Sequence, residues 1–137
     1  METNKVKQIH SFGQSIWLDF IDREIIASGN LQKLIDVEGI RGVTSNPAIF
    51  EKAITSGTDY DKDIVELAKT HTDNEEIFFG LAVKDIQNAT ALFEGVYNES
   101  KAEDGYVSLE VSPFLALKTK ETADRQRNFG KKLPAKT

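Results

Sequence analysis

The chain has no cysteine, one tryptophan, one methionine and three prolines among 137 residues. Without Cys there can be no disulfide, no thiolate metal site and no thiol nucleophile, and an extracellular stapled scaffold is not expected. No apolar run approaches the roughly 20 residues that a membrane-spanning helix needs. The start, METNKVKQIHSFG, lacks the apolar core of a secretory signal. A cytoplasmic protein with no membrane partner is therefore expected. There is no internal repeat and no low-complexity tract. The net charge of −5 argues against a nucleic-acid partner, although the charge is uneven. From Lys118 onwards there are seven basic residues (Lys118, Lys120, Arg125, Arg127, Lys131, Lys132, Lys136) against two acidic ones, Glu121 and Asp124. Such a tail can bind polyanions, but a solvated helix face is the preferred reading because Lys and Arg are mostly exposed.

What is present suits one globular domain over residues 1–137, with 39% hydrophobic and 28% charged residues. Residues 15–21 (SIWLDFI) form an aromatic and β-branched run with Asp19 inside it, as expected of a buried parallel strand. Residues 30–36 (NLQKLID) read as a helix, with Asn30 as N-cap and Gly39 as stop. Residues 41–47 (RGVTSNP) read as a second strand that Pro47 ends, since Pro has no N–H for the ladder. Helical turns follow over AIFEKAI and residues 60–69. A strong helix then begins at Thr72 or Asp73, with Glu75 or Glu76 completing a capping pattern. Its apolar face is Phe78, Ala82, Ile86, Ala89, Phe93 and Val96, at steps of three and four. Residues 106–112 (YVSLEVS) give the clearest strand, closed by Pro113, and a last helix is expected from about Thr119 towards Lys132. Strands alternating with helices favour a parallel sheet with helical crossovers.

Alternation along a strand puts residues i and i+2 on one side. Thr44 and Asn46 therefore share a face of the second strand, and Ser108 and Glu110 share a face of the third. Active sites of α/β barrels and open α/β sheets lie at the C-terminal ends of the strands. Asp19 among Trp17, Leu18, Phe20 and Ile21, and Glu110 between Leu109 and Val111, would be partly desolvated and so suited to proton transfer. Two such acids on neighbouring strands could divide acid and base roles. Asn46 and the hydroxyls of Thr44 and Ser108 would orient substrate hydroxyls or a water. The competing structural reading makes Thr44 and Asn46 the turn before Pro47 and pairs Glu110 with a core cation.

The strings QSIWLDFIDREIIASG, GIRGVTSNPAIFEKAI, GTDYDKDI and DGYVSLEVSPFLA resemble the N-terminal portion of the longer bacterial transaldolases, from about residue 11 to 117. The resemblance implies a (β/α)8 TIM barrel, of which this chain would supply about the first three strands with their helices. It also implies transfer of a dihydroxyacetone unit between sugar phosphates in the pentose phosphate pathway, through a Schiff base on a strand lysine. No metal or organic cofactor is implied. Asp19 matches the first-strand acid that handles protons. Glu110 matches the third-strand acid that works through the catalytic water. Thr44, Asn46 and Ser108 match residues that hold that water and the substrate hydroxyls.

The family's lysine lies on a fourth strand in an IKIPAT-like motif. Lys132-Leu-Pro-Ala is similar on the surface, but the interval after SPFLA is too short and no apolar strand precedes it. Residues 118–137 are expected to be a basic helix and a divergent tail, so the chain is expected to be inactive alone. The alternatives are a non-catalytic truncated paralogue or a fragment that binds sugar phosphates or a partner. Open sheet edges would invite self-association, and the inner faces of Trp17, Val43, Val107 and Leu109 would lack their barrel partners. An oligomer or a marginal, partly molten species is the expectation. Asp59, Asp61 and Asp63 do not complete a calcium loop, because Ile64 and Thr70 stand where Gly and Glu are needed. His10 and His71 are expected at the surface.

Overall fold

The computed structural model describes residues 4–115 and 117–132. A short helix α1 (Lys5–Ile9) and a 3-10 turn (His10–Phe12) precede strand β1 (Trp17–Leu18). Helices α2 (Arg23–Ala27) and α3 (Asn30–Lys33) follow, the latter running into a π-helical turn (Leu34–Glu38). Strand β2 (Gly42–Val43) leads to α4 (Pro47–Thr55), α5 (Asp61–Leu67) and the long α6 (Asn74–Glu99). Strand β3 (Tyr106–Val107), a 3-10 turn (Pro113–Leu115) and α7 (Thr119–Lys132) complete the order. The expected alternation of strands and helices is observed.

The three strands form one parallel sheet in the order β1-β2-β3, with Trp17 beside Gly42 and Gly42 beside Tyr106. They are shorter than their apolar runs suggested. Single backbone bonds extend the ladder, from Arg41 N to Ile16 O and from Thr44 N to Leu18 O at 2.9 Å each, and from Ser108 N to Val43 O at 2.9 Å. Beyond those positions the chain turns away into helices. Asn46 caps α4 with Pro47 as its first residue, a position where the missing Pro N–H costs nothing.

Helix ends follow local chemistry. Asp22 caps α2 through the Ile25 amide and Asp73 caps α6 through the Glu75 amide. The expected cap at Asn30 is not observed. Gly29, in the left-handed region, occupies the cap position and Asn30 is the first helical residue. Gly39 does stop the following turn, again with positive φ.

The core lies between the sheet and the helices. Val43 and Val107 pack with Ile21, Leu31, Ile35 and Phe50 against Ala82, Ile86, Ala89, Phe93 and Val96 of α6. This corrects the expectation for the strands' inner side. Val43, Val107 and Leu109 face the helices and have their partners, because alternation from these positions leaves Trp17 and Gly42 on the open side. Trp17 alone of the four faces away, 36% exposed. Its indole packs against Gly42, where an added Cβ would sit 2.4 Å from the nearest ring atom. A second small cluster of Phe79, Val83 and Phe129 docks α7 onto α6.

Candidate functional site

The next position along the ladder beyond Leu18, Val43 and Val107 carries Asp19, Thr44 and Ser108. These three follow the C-terminal ends of the three strands, on the side opposite to Val43 and Val107. Adjacent strands lie about 4.8 Å apart, so the three side chains form one row. Within it the Thr44 hydroxyl donates to Asp19 Oδ1 at 2.6 Å. A hydroxyl donating to a carboxylate oxygen fixes the carboxylate orientation.

Asn46, two residues beyond Thr44, accepts a bond from the Ile49 amide at 3.0 Å through Oδ1. The turn reading of Asn46 is therefore observed, and it does not conflict with a binding role. The capping oxygen holds the side chain at the helix entrance and leaves Nδ2 as a donor. Ser108 is half-buried, and its carbonyl accepts from the Ser45 hydroxyl at 2.6 Å. Glu110 has no partner among the described residues, so the core cation of the competing structural reading is not found there.

The desolvation expected for the two acids is absent. Asp19 and Glu110 are both exposed, because the side of the sheet they occupy is uncovered while Leu18 and Leu109, next to them in sequence, pack into the core on the other side. Phe20 itself is 39% exposed. The two histidines are half-buried rather than exposed. His10 Nε2 is buried without a partner and lines a cavity of about 380 Å³ beside Lys7, Asp36, Arg41 and Glu99. Among the described residues, no cluster of three or more His, Cys, Asp or Glu could hold a metal, and no helix is long and apolar enough to cross a membrane.

Sequence reasoning missed a buried polar group behind the sheet. Asp85 is fully buried on α6 and accepts from Arg23 Nε at 3.0 Å and from the Tyr60 hydroxyl at 2.7 Å. Arg23 also meets Asp63 at 2.8 Å and the Asp59 carbonyl at 2.9 Å, and its guanidinium lies 4.1 Å from the centre of the Tyr60 ring. Lys84 reaches Asp63 at 2.7 Å. Burial pushes the Asp85 carboxyl up from its ordinary value, against the opposing Tyr60 hydroxyl and Arg23. Burial and the bond to Asp85 push Tyr60 up. The Lys84 hydrogen bond and Arg23 hold Asp63 down. A signal was available: Asp85 stands three residues after Ala82 and four before Ala89, on the apolar face of α6.

Residues 16–135 match the family model for transaldolase/fructose-6-phosphate aldolase. The chain belongs to that family. Transaldolase relatives agree with the match. It is 48% identical over 122 residues to the transaldolase of Trichodesmium erythraeum, covering 89% of this chain and 32% of that protein. It is 43% identical over 129 residues to transaldolase 2 of Nostoc punctiforme, covering 94% and 34% respectively. The transaldolase of Renibacterium salmoninarum is 42% identical over 127 residues, 93% of this chain and 34% of its own length. The chain thus spans about a third of the curated relatives it matches. The three-stranded parallel sheet with its helices is accordingly part of a transaldolase-type (β/α)8 barrel. Lys132 ends helix α7 and is not on a strand. The PAKT segment lies outside the described residues.

Proposed function

We propose that this chain supplies the proton-handling and water-positioning part of a transaldolase site, which transfers a dihydroxyacetone unit between sugar phosphates. Asp19 takes up and returns the proton during carbon-carbon cleavage, and Glu110 acts through the catalytic water. Thr44, Asn46 and Ser108 orient that water and the substrate hydroxyls. The Schiff-base lysine belongs to a strand other than the three described. The observation that carries this reading is the Thr44–Asp19 bond at the C-terminal ends of adjacent parallel strands, which lie where barrel enzymes carry their chemistry.

Exposure of Asp19 fits the assignment. A carboxylate on the open side of the sheet becomes interior only when further strands close over it, and then loses water as a general base must. On this reading the chain alone is inactive.

Borohydride trapping with fructose 6-phosphate tests where the nucleophile lies. This chain alone is expected to give no covalent adduct, and an adduct on Lys132 would overturn the assignment. The site residues are tested by grafting residues 16–115 in place of the matching part of the Trichodesmium erythraeum transaldolase. The graft should be active, and Asp19→Asn should lower its kcat about 10²- to 10⁴-fold, the usual contribution of a positioned acid or base. A graft that stays fully active with Asp19→Asn would overturn the role of Asp19, and a parent graft without activity would leave the non-catalytic reading, a fragment that only binds sugar phosphates or a partner.

A further inference from the structure

The buried polar group behind the sheet has no part in the row formed by Asp19, Thr44 and Ser108, yet it touches the segments that carry that row. Four residues, 19–22, separate the end of β1 from helix α2. Within them Ile21 is wholly buried and Asp22 holds the Ile25 amide at 2.7 Å. Arg23 is the first residue of α2. Its guanidinium reaches in three directions: Nε to Asp85 of α6, one terminal nitrogen to the Asp59 carbonyl in the α4–α5 connection, the other to Asp63 of α5. The α4–α5 arm begins at Asn46, just past β2.

We infer that Arg23 is a positioning residue that sets the end of β1 against the end of β2, and so holds Asp19 in register with Thr44 and Asn46. The inference rests on the proposed function for the meaning of that register. The sheet restrains this region through two paired residues per strand and the Thr44 N to Leu18 O bond, which ties the main chain at the two strand ends but not the segments that follow. Asp19 has no apolar packing of its own. The segments that follow the two strand ends are joined from the helix side, where one planar cation ties both of them to α6. A guanidinium suits this task because its fork offers several donors in fixed geometry; an ammonium is a point charge and cannot make all three contacts.

The test uses the intact chain, isotopically labelled, in solution. The readout is the Thr44 χ1 rotamer distribution from three-bond NMR couplings, measured where circular dichroism shows the variant folded. Asp19→Ala removes the acceptor and sets the averaged limit. Arg23→Lys should carry the Thr44 couplings most of the way to that limit. Tyr60→Phe, which removes one contact to Asp85, should carry them a smaller distance in the same direction and serves as the decisive variant if Arg23→Lys does not fold. Arg125→Lys, which weakens a separate ion pair to Glu75, should leave them unchanged. If Arg23→Lys and Tyr60→Phe lower the unfolding midpoint but keep the parent couplings, Arg23 is only structural and the inference fails while the proposed function stands. If Asp19→Ala itself leaves Thr44 unchanged, the Asp19–Thr44 pairing is absent, and both fall together.

Discussion

Tyr60 donates its hydroxyl proton to Asp85 at 2.7 Å, and both side chains are almost wholly shielded from water. This contact lies among the helices, on the opposite side of the sheet from Asp19 and Thr44. The proposed site and this buried polar contact therefore occupy different sides of the same three strands. The pair also ties stability to pH in a direction that follows from the contact itself.

Tyr60 is pushed up from its ordinary value in the folded chain. Above about pH 10 an unfolded tyrosine loses its proton while the folded one keeps it. The native state then binds more protons, and stability falls as pH rises through that range. Denaturation between about pH 9 and 11 should show this loss in the parent, and Tyr60→Phe should remove part of it. Absorbance near 295 nm should show one tyrosine that ionises only on unfolding.

At acid pH the two carboxyls of the group act with opposite signs. Asp63 is held down, so its contribution is present above the ordinary carboxyl value and lost as pH falls through the lower folded value. Asp85 is pushed up by burial, so its contribution is present below the ordinary value and lost as pH rises towards the folded one. Asp63→Asn should therefore lose less stability than the parent on acidification below about pH 4. An unchanged acid limb would count against the Lys84–Asp63 contact.

Truncating Asp85 to Ala leaves the Tyr60 hydroxyl and Arg23 Nε without their acceptor, although Arg23 keeps Asp63 and the Asp59 carbonyl. Loss of one partner of a buried ion pair costs about 3–5 kcal/mol, and urea denaturation should show a loss of that order. Asp85→Asn keeps an acceptor for Tyr60 and should lose less.

Gly42→Ala would place a methyl group 2.4–2.8 Å from three indole atoms of Trp17. The ring must shift, with a cost of about 1–3 kcal/mol typical of overpacking. Trp17 is the sole tryptophan, so its emission maximum should move with the substitution, and an unmoved spectrum would contradict the contact.

Phe129 joins α7 to Phe79, with ring centres 4.8 Å apart, and Arg125 lies over both rings. Phe129→Ala should weaken docking by about 3 kcal/mol, as for other buried Phe truncations. Amide exchange should then accelerate along α7 while α6 stays protected.

Much of this fold was legible because its helices obey local rules. The apolar steps from Ala82 to Val96 marked the buried face of α6, and Asp73 and Gly39 marked real boundaries. The strands were located correctly but read too long, since an apolar run records burial and not ladder length. Ile21 belongs to that run because it packs in the core, not because it pairs. The candidate site was legible from alternation at Thr44 and Ser108 together with the family motifs. The exposure of the acids was not, because only Leu18 and Ile21 of the apolar run around Asp19 pack into the core, on the other side of the sheet. The Arg23–Asp85–Tyr60 group joins residues up to 62 positions apart, and no spacing rule spans such a distance.

The open side of the sheet has a consequence for how such a chain can change over time. Trp17, Asp19, Thr44 and Glu110 lie outside the core, whereas Val43, Val107 and α6 build it. Substitutions that retune chemistry on the one side carry little folding penalty on the other. A family built this way can explore new substrates at the mouths of its strands without first acquiring spare stability.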